Sequence, residues 1–349
     1  MIFCIGPVFS LIGWYVNAWS DRGTRMPSRV VVTGGAGFIV SHVCKQLASR
    51  GYTPACVDSL ENGYAWAGRW GPLEQVDVRN AAGLEAVFRR HQPAAVMHFV
   101  AYVQVGESVR EPLKYYRNNL EGVMAMAAAM QRHGVAPIVF SITAAVYGEP
   151  ESVQIPESHP LRPATPYGSS KMACERVLSD MAAAGQLRYA ALRYSNGAVD
   201  DPDAQIGEAH VSKTHLIPLA VRAVRDPGFT LDIYGQDFPT RDGTAVRDYI
   251  HVEGLALAHV RALERLPQGA TALVLNLGTG TGTSVREVID ACAGVLGSEP
   301  KHRVAGRRAG DVATLVANSA RAQAELGWTP RAKSIKVEST CIVNVALTV

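Results

Sequence analysis

The stretch from Val30 to His42, VVVTGGAGFIVSH, constrains this chain more than any other. Three consecutive valines read as a fully buried parallel strand. Thr33, Gly34, Gly35, Ala36 and Gly37 then make a turn almost free of side chains, and Phe38 opens an apolar helix. A strand–glycine turn–helix unit lets backbone N–H groups approach a pyrophosphate at the positive end of the helix dipole. Asp58 stands at about the spacing expected for the acid that holds an adenosine ribose. A glycine turn also joins βα units that bind nothing, but here strand, loop, helix and acid occur in the order a dinucleotide site needs. The last glycine of the pattern is Val40. A branched side chain where helix crosses strand is expected to overpack by roughly 1–3 kcal/mol and to weaken cofactor retention.

At 349 residues the chain can bury a large core, as one two-lobed unit or two domains. A net charge of +3 offers no excess basicity for nucleic acid or an anionic membrane. The six cysteines, at 4, 44, 56, 174, 292 and 341, form no CxxC pair and read as reduced thiols of a cytoplasmic protein. Ten histidines without an HExxH or similar spacing predict no metal site. Residues 1–27 stand outside the pattern. Ile2 to Trp19 is apolar and uncharged, but it lacks a basic n-region and is interrupted by Gly6, Pro7, Gly13 and Asn17. With Met26 just ahead of the first strand, the expectation is an extension of the reading frame and no membrane anchor.

Tyr52 to Val57 reads as a second strand ending on Asp58, and Leu73 to Val78 as a third that carries Asp77. A helix over Leu84–His91, a strand over Ala94–Val100, a long helix over Tyr115–His133 and a strand over Pro137–Ile142 follow. Strands alternating with helices predict an α/β fold with a doubly wound parallel sheet. Farther on, Leu231–Tyr234 and Val246–Val252 read as strands, and Ser284 with Glu287 as the capping box of a helix reaching Val295.

Tyr167-Gly168-Ser169-Ser170-Lys171 leads into the helical stretch Met172–Ala184. Residues four apart share a helix face. An ammonium beside a phenol favours the phenolate, so Lys171 is expected to depress the Tyr167 pKa and make it a base near neutrality. Thr143, at the end of the preceding strand, supplies a hydroxyl to the same reacting oxygen. Tyr-x-x-x-Lys alone is common. Behind a dinucleotide loop, with a hydroxyl at a strand end, it reads as catalytic. Arg247 and Arg308 could clamp a diphosphate through paired N–H groups, although surface ion pairing is the commoner fate of an arginine.

In combination, TGGAGFI (33–39), VMHF (96–99), VGESV (105–109), YYRNN (115–119), VYGEP (146–150), YGSSK (167–171), DGTAVRDYIHV (242–252), NLGTG (276–280) and GRRAGD (306–311) are specific. Over about residues 28–330 the chain resembles the extended short-chain dehydrogenase/reductase family, and within it the bacterial C4 epimerases of UDP-hexoses. The resemblance implies a Rossmann domain over 28–197 plus about 246–278. It implies a smaller, discontinuous UDP-sugar domain over 198–245 plus about 279–330, with 331–349 a divergent tail. It places Gly34, Gly37, Phe38, Ile39, Asp58, Asn62, Asp77, Val78, Phe99, Tyr167 and Lys171 at NAD-contacting positions. Thr143, Asn119, Asn196, Leu216, Arg247, Arg308 and Asp311 fall at UDP-sugar positions, and Leu315 at one lining the sugar pocket. The implied reaction is reversible inversion at C4, UDP-glucose to UDP-galactose, through a transient 4-keto sugar that turns over in the site. The implied assembly is a homodimer packed through helices 115–133 and 169–184.

The chain departs from the family pattern at Val40, Val100, Val103, Ile142, Ala145, Ser195, Gly197 and Val199. Two alternatives follow. One is another nucleotide-sugar epimerase or a 4,6-dehydratase on the same scaffold, but Ala144 and Ala145 stand where dehydratases commonly carry an Asp-Glu pair. The other is a catalytically weakened relic that still binds NAD or a UDP-sugar.

Overall fold

The computed structural model describes residues 28–198, 201, 203, 205–207 and 215–330. The expected extension over 1–27 and the tail over 331–349 lie outside the described residues. Seven parallel strands make the main sheet: β1 (Arg29–Thr33), β2 (Thr53–Asp58), β3 (Leu73–Gln75), β4 (Ala95–His98), β5 (Pro137–Thr143), β6 (Arg188–Tyr194) and, later in the chain, Ala272–Asn276. Their spatial order runs from the 272–276 strand through β6, β5, β4, β1 and β2 to β3. The chain therefore winds outward in both directions from β1, and the crevice between the ends of β1 and β4 is the switch point where doubly wound sheets bind ligands.

The valine run works as predicted because strand side chains alternate. Val30 and Val32 enter a core shared with Val43 and Leu47 of the Phe38–Ser49 helix and with the Val252–Arg265 helix. Val31 enters the opposite core, with Leu84, Val87, Met126, Met130, Cys174 and Leu178. Helices thus cover both faces, as a parallel sheet requires.

Three predicted elements are shorter or more broken than expected. The β4 strand stops at His98 because the Thr33 hydroxyl accepts the N–H groups of Phe99 and Val100, at 3.1 and 3.4 Å, and bends the chain out of the ladder. The single helix expected over 115–133 is three pieces: Pro112–Tyr115, a wide π-turn over Tyr116–Glu121, and Gly122–Arg132. Asn119 sits inside the wide turn, the kind of helix defect that re-aims a side chain. The third strand also ends early, at Gln75, and Asp77 lies in the turn before the helix capped by Asn80.

The remaining strands are β7 (Asn196–Ala198), β8 (Leu231–Tyr234), β9 (Val246–His251), the 272–276 strand already placed, which is β10, then β11 (Gly282–Ser284), β12 (His302–Ala305) and β13 (Thr314–Leu315). β9 pairs with β7, β11 and β13 in a second sheet, and β8 pairs with β12. The predicted capping box is reciprocal: Glu287 N–H donates to Ser284 Oγ at 3.1 Å, and Ser284 N–H to Glu287 Oε2 at 2.9 Å. Among the described residues no helix is long and apolar enough to cross a membrane, and no cluster of His, Cys, Asp or Glu is arranged to hold a metal ion.

Candidate active site

Gly34 has φ +75°, which an L side chain rarely adopts, and its N–H donates to Val57 O at 2.8 Å. Gly35 is required for a different reason. A Cβ there would lie 2.5 Å from Cβ of Cys56 on β2, so no side chain fits. The sequence reading left Gly35 without a role, and only the packing of β1 against β2 reveals it. Asp58 caps the same turn: one carboxylate oxygen accepts from Ala36 N–H at 3.1 Å and the other from Leu60 N–H at 2.8 Å. The following helix starts at Gly37 with no side-chain cap and no acid in its first turn. That leaves its N–H groups free of side-chain caps at the mouth of the crevice, as a pyrophosphate requires.

Val40 does not wedge this helix off the sheet, contrary to the steric expectation. It is 6% exposed, is part of the core with Val32 and Val43, and the turn hydrogen bonds around it are intact, Gly37 N–H to Gly34 O and Ser41 N–H to Gly37 O both at 2.9 Å. The close approach that leaves no room for a side chain falls at Gly35, so the space at position 40 accepts a valine.

From the start of this helix a cavity of about 730 Å³ runs to the second sheet. Phe38, Ile39, Phe99, Thr143, Tyr167 and Lys171 line one end, and Asn196, Leu216, Arg247, Arg308, Asp311 and Leu315 the other. A smaller pocket beside it is lined by Gly37, Phe38, Asn62 and Trp66. The predicted positions Gly34, Asp58, Asp77 and Val78 do not line either pocket. Val78 is buried, and Asp77 is paired with Arg79, whose side chain holds its carboxyl below the usual range.

Asn119 is a correction. It does not line the cavity, because its carboxamide is spent inside the fold. Oδ1 accepts from Tyr102 N–H at 2.9 Å, and Nδ2 donates to Ser170 Oγ at 3.0 Å and to Tyr102 O at 3.2 Å. It ties the loop after β4 to the Pro166–Ala183 helix instead of facing a ligand.

That helix begins at Thr165, whose hydroxyl accepts Gly168 N–H at 3.3 Å, with Pro166 in its first turn. Tyr167 and Lys171 therefore sit one turn apart on one face. Thr143, the last residue of β5, lines the same cavity as Tyr167, and its Oγ1 accepts from Ala145 N–H at 3.1 Å. Lys171 Nζ donates to the carbonyl of Ser141 at 2.8 Å and lies 4.8 Å from the centre of the Phe140 ring. Burial lowers the Lys171 pKa to about 8. The Tyr167 pKa, expected to fall, is instead pushed up to about 12 by burial, with the Thr143 hydroxyl pulling the other way. Lys171 does not counter this, since its amine is directed to the strand carbonyl and the phenol's desolvation dominates. Ser141 shares a face of β5 with Thr143, two residues on, which strand alternation makes readable from the sequence.

At the other end, Arg247 donates Nη1–H to Val246 O at 2.8 Å. Burial lowers its pKa, and Asp311 partly restores it. Among the described residues no carboxylate reaches salt-bridge distance of Arg247. Arg308 pairs with Asp311 at 2.8 Å and lies over the Tyr234 ring.

A parallel doubly wound sheet with a glycine turn at its switch point and a buried Thr–Tyr–Lys group beside it defines a dinucleotide-binding class of protein with an acid–base group at the crevice. The family model for the NAD dependent epimerase/dehydratase family matches residues 30–278, and the chain belongs to that family. It is 47% identical over 304 residues to a UDP-glucose 4-epimerase of Rhizobium leguminosarum bv. trifolii, covering 86% of this chain and 92% of that one. A solved UDP-glucose 4-epimerase from Brucella ovis, in complex with NAD, superposes with a TM-score of 0.86 at 40% identity, covering 91% of this chain and 98% of that one. One from Bifidobacterium longum, in complex with NAD+ and UDP, gives 0.88 at 34%, covering 92% and 98%.

Proposed function

We propose that this protein interconverts UDP-glucose and UDP-galactose at C4 as an NAD-dependent epimerase, an isomerase. The observation that carries the reading is that Thr143, Tyr167 and Lys171 line the same cavity as Arg247 and Arg308. The residues fit the cofactor. The turn at Gly34–Gly37 leaves room for a pyrophosphate, with Phe38, Ile39, Asp58, Asn62, Asp77, Val78 and Phe99 around the same sheet edge. When bound, NAD supplies reversible acceptance of hydride from C4.

Tyr167 takes the O4 proton and returns it when the ketone is reduced. Thr143 holds O4 toward the phenol. A phenol near 12 is a poor base at neutral pH, so the ammonium of Lys171 has work left to do once the site is filled. With a pKa of about 8, that amine is largely protonated at pH 7. Arg247 and Arg308 hold the diphosphate, with Asn196, Leu216 and Asp311 beside them. Ala145 lines the cavity and offers no proton, which favours epimerisation over 4,6-dehydration.

We assign the Rossmann lobe to the main sheet with its helices and the UDP-sugar lobe to the later strands. A homodimer in the cytosol completes the reading, packed through helices 115–133 and 169–184, the first of which carries the exposed Met124. Conversion of UDP-galactose to UDP-glucose by the purified protein tests the activity. Release of a 4-keto-6-deoxy sugar as main product replaces the reading with dehydration. Sedimentation as a monomer at micromolar concentration removes the dimer.

A further inference from the structure

The sheet order places β1 between β4 and β2. The loops that follow those two flanking strands both lean on the glycine turn at the end of β1. On one side, a Cβ on Gly34 would lie 3.4 Å from Val100 N; on the other, a Cβ on Gly63 would lie 2.8 Å from the Ala36 side chain. The same two loops also join each other. The Tyr102 phenol donates to both carboxylate oxygens of Glu61, at 2.8 and 2.9 Å. A carboxylate only accepts, so the phenol is the donor. The two halves of this bridge are built differently. Tyr102 is fixed, because Asn119 holds both its N–H and its carbonyl, at 2.9 and 3.2 Å, and the Tyr115 ring lies 5.8 Å away. Glu61 is exposed and follows Leu60, whose φ of +62° is a left-handed conformation that disfavours a leucine. The nearby cations are engaged elsewhere, Arg79 with Asp77 at 2.9 Å and Lys114 with Glu107 at 2.7 Å, which leaves the Glu61 carboxylate to the tyrosine.

A dinucleotide on a doubly wound sheet crosses the end of β1, with its pyrophosphate on the glycine turn and its ribose on the acid after β2, here Asp58. The turn forms the floor of that path, and the loops over 59–63 and 100–104 form its two sides. We propose that the Tyr102–Glu61 bond is a latch across this crevice, which closes the remaining side over bound NAD and must break for NAD to enter or leave. The proposal rests on NAD occupying the Gly34–Gly37 turn. The bond joins two protein groups and costs the same to break with or without NAD inside. It therefore slows entry and exit together and leaves the binding equilibrium unchanged.

Exchange of bound NAD for isotopically labelled NAD, followed on the holoenzyme, gives the exit rate, and equilibrium dialysis over a range of NAD concentrations gives the Kd. Tyr102→Phe is expected to speed exchange roughly three- to tenfold, the range of one hydrogen bond, with the Kd within about twofold of the parent. Glu61→Ala does the same, and the double variant exchanges no faster than either single one. Glu61→Gln keeps an acceptor and exchanges at an intermediate rate. The proposal is overturned if Tyr102→Phe and Glu61→Ala exchange NAD as the parent does. It is also overturned if the Kd rises in step with the exit rate, which makes the pair a contact of the bound state and not a latch. A parent that holds no NAD overturns the cofactor reading, and the latch with it, a result distinct from either.

Discussion

At the sheet end of the cavity, Tyr167 and Lys171 are enclosed and desolvated, and burial moves both away from their charged forms. At the far end, Arg308 is half-exposed and paired, and Arg247 keeps its charge although burial opposes it. A lysine or phenol can respond to burial by changing protonation. An arginine cannot within any ordinary pH range, so its unmet charge is available to an anion. The first end is suited to moving a proton and the second to holding a diphosphate. Substitutions at the two ends should accordingly fall on different constants.

The largest effect is expected from Tyr167→Phe. It removes one hydroxyl and should lower kcat by about 10²–10⁴, with NAD content and UDP Kd unchanged. Unchanged turnover would remove the tyrosine from the chemistry. Val40→Gly comes next. It deletes buried methyl groups and places a glycine in a helix, so it should destabilise by roughly 2–3 kcal/mol. A rise in Tm on thermal unfolding would reinstate the overpacking expected from the sequence.

Arg247→Ala should weaken UDP binding about 10- to 100-fold, the worth of a charged hydrogen bond, with kcat at saturation largely kept. A fall in kcat with no change in Kd would erase the distinction between the two ends. The smallest effect concerns Lys171. Its folded pKa of about 8 lies below the ordinary 10.5, so burial of the ammonium costs stability. That cost is full below pH 8 and is relieved as pH rises toward 10.5, where the unfolded chain also loses the proton. Lys171→Met should therefore stabilise the protein at pH 7 by about 1–2 kcal/mol, allowing for the lost bond to Ser141, with the gain shrinking at pH 10. A gain of equal size at both pH values would mean that the charge is not its source.

Local patterns carried most of the architecture because their causes are local. The valine run, the glycine turn, the Ser284–Glu287 box and the Tyr167–Lys171 spacing each depend on residues within one turn or one strand. Thr143 was readable for the same reason, as the end of β5. Asn119 and Val40 were misread because their neighbours come from elsewhere in the chain. Asn119 is consumed by Tyr102 and Ser170, the latter 51 residues away, and the space around Val40 is set by where the sheet and helices meet. Gly35 was passed over because the side chain that excludes a Cβ there belongs to Cys56.

The order of elements, the parallel sheet and the residue types available at the switch point follow from the chain's local pattern, since periodicity and turn chemistry are written in neighbouring residues. Which of those residues reach the cavity, and how far Tyr167, Lys171 and Arg247 are moved from their ordinary pKa, depends on packing between distant segments. Burial is a property of everything packed around a group, and it moved Tyr167 upward where the adjacent lysine alone predicted a fall.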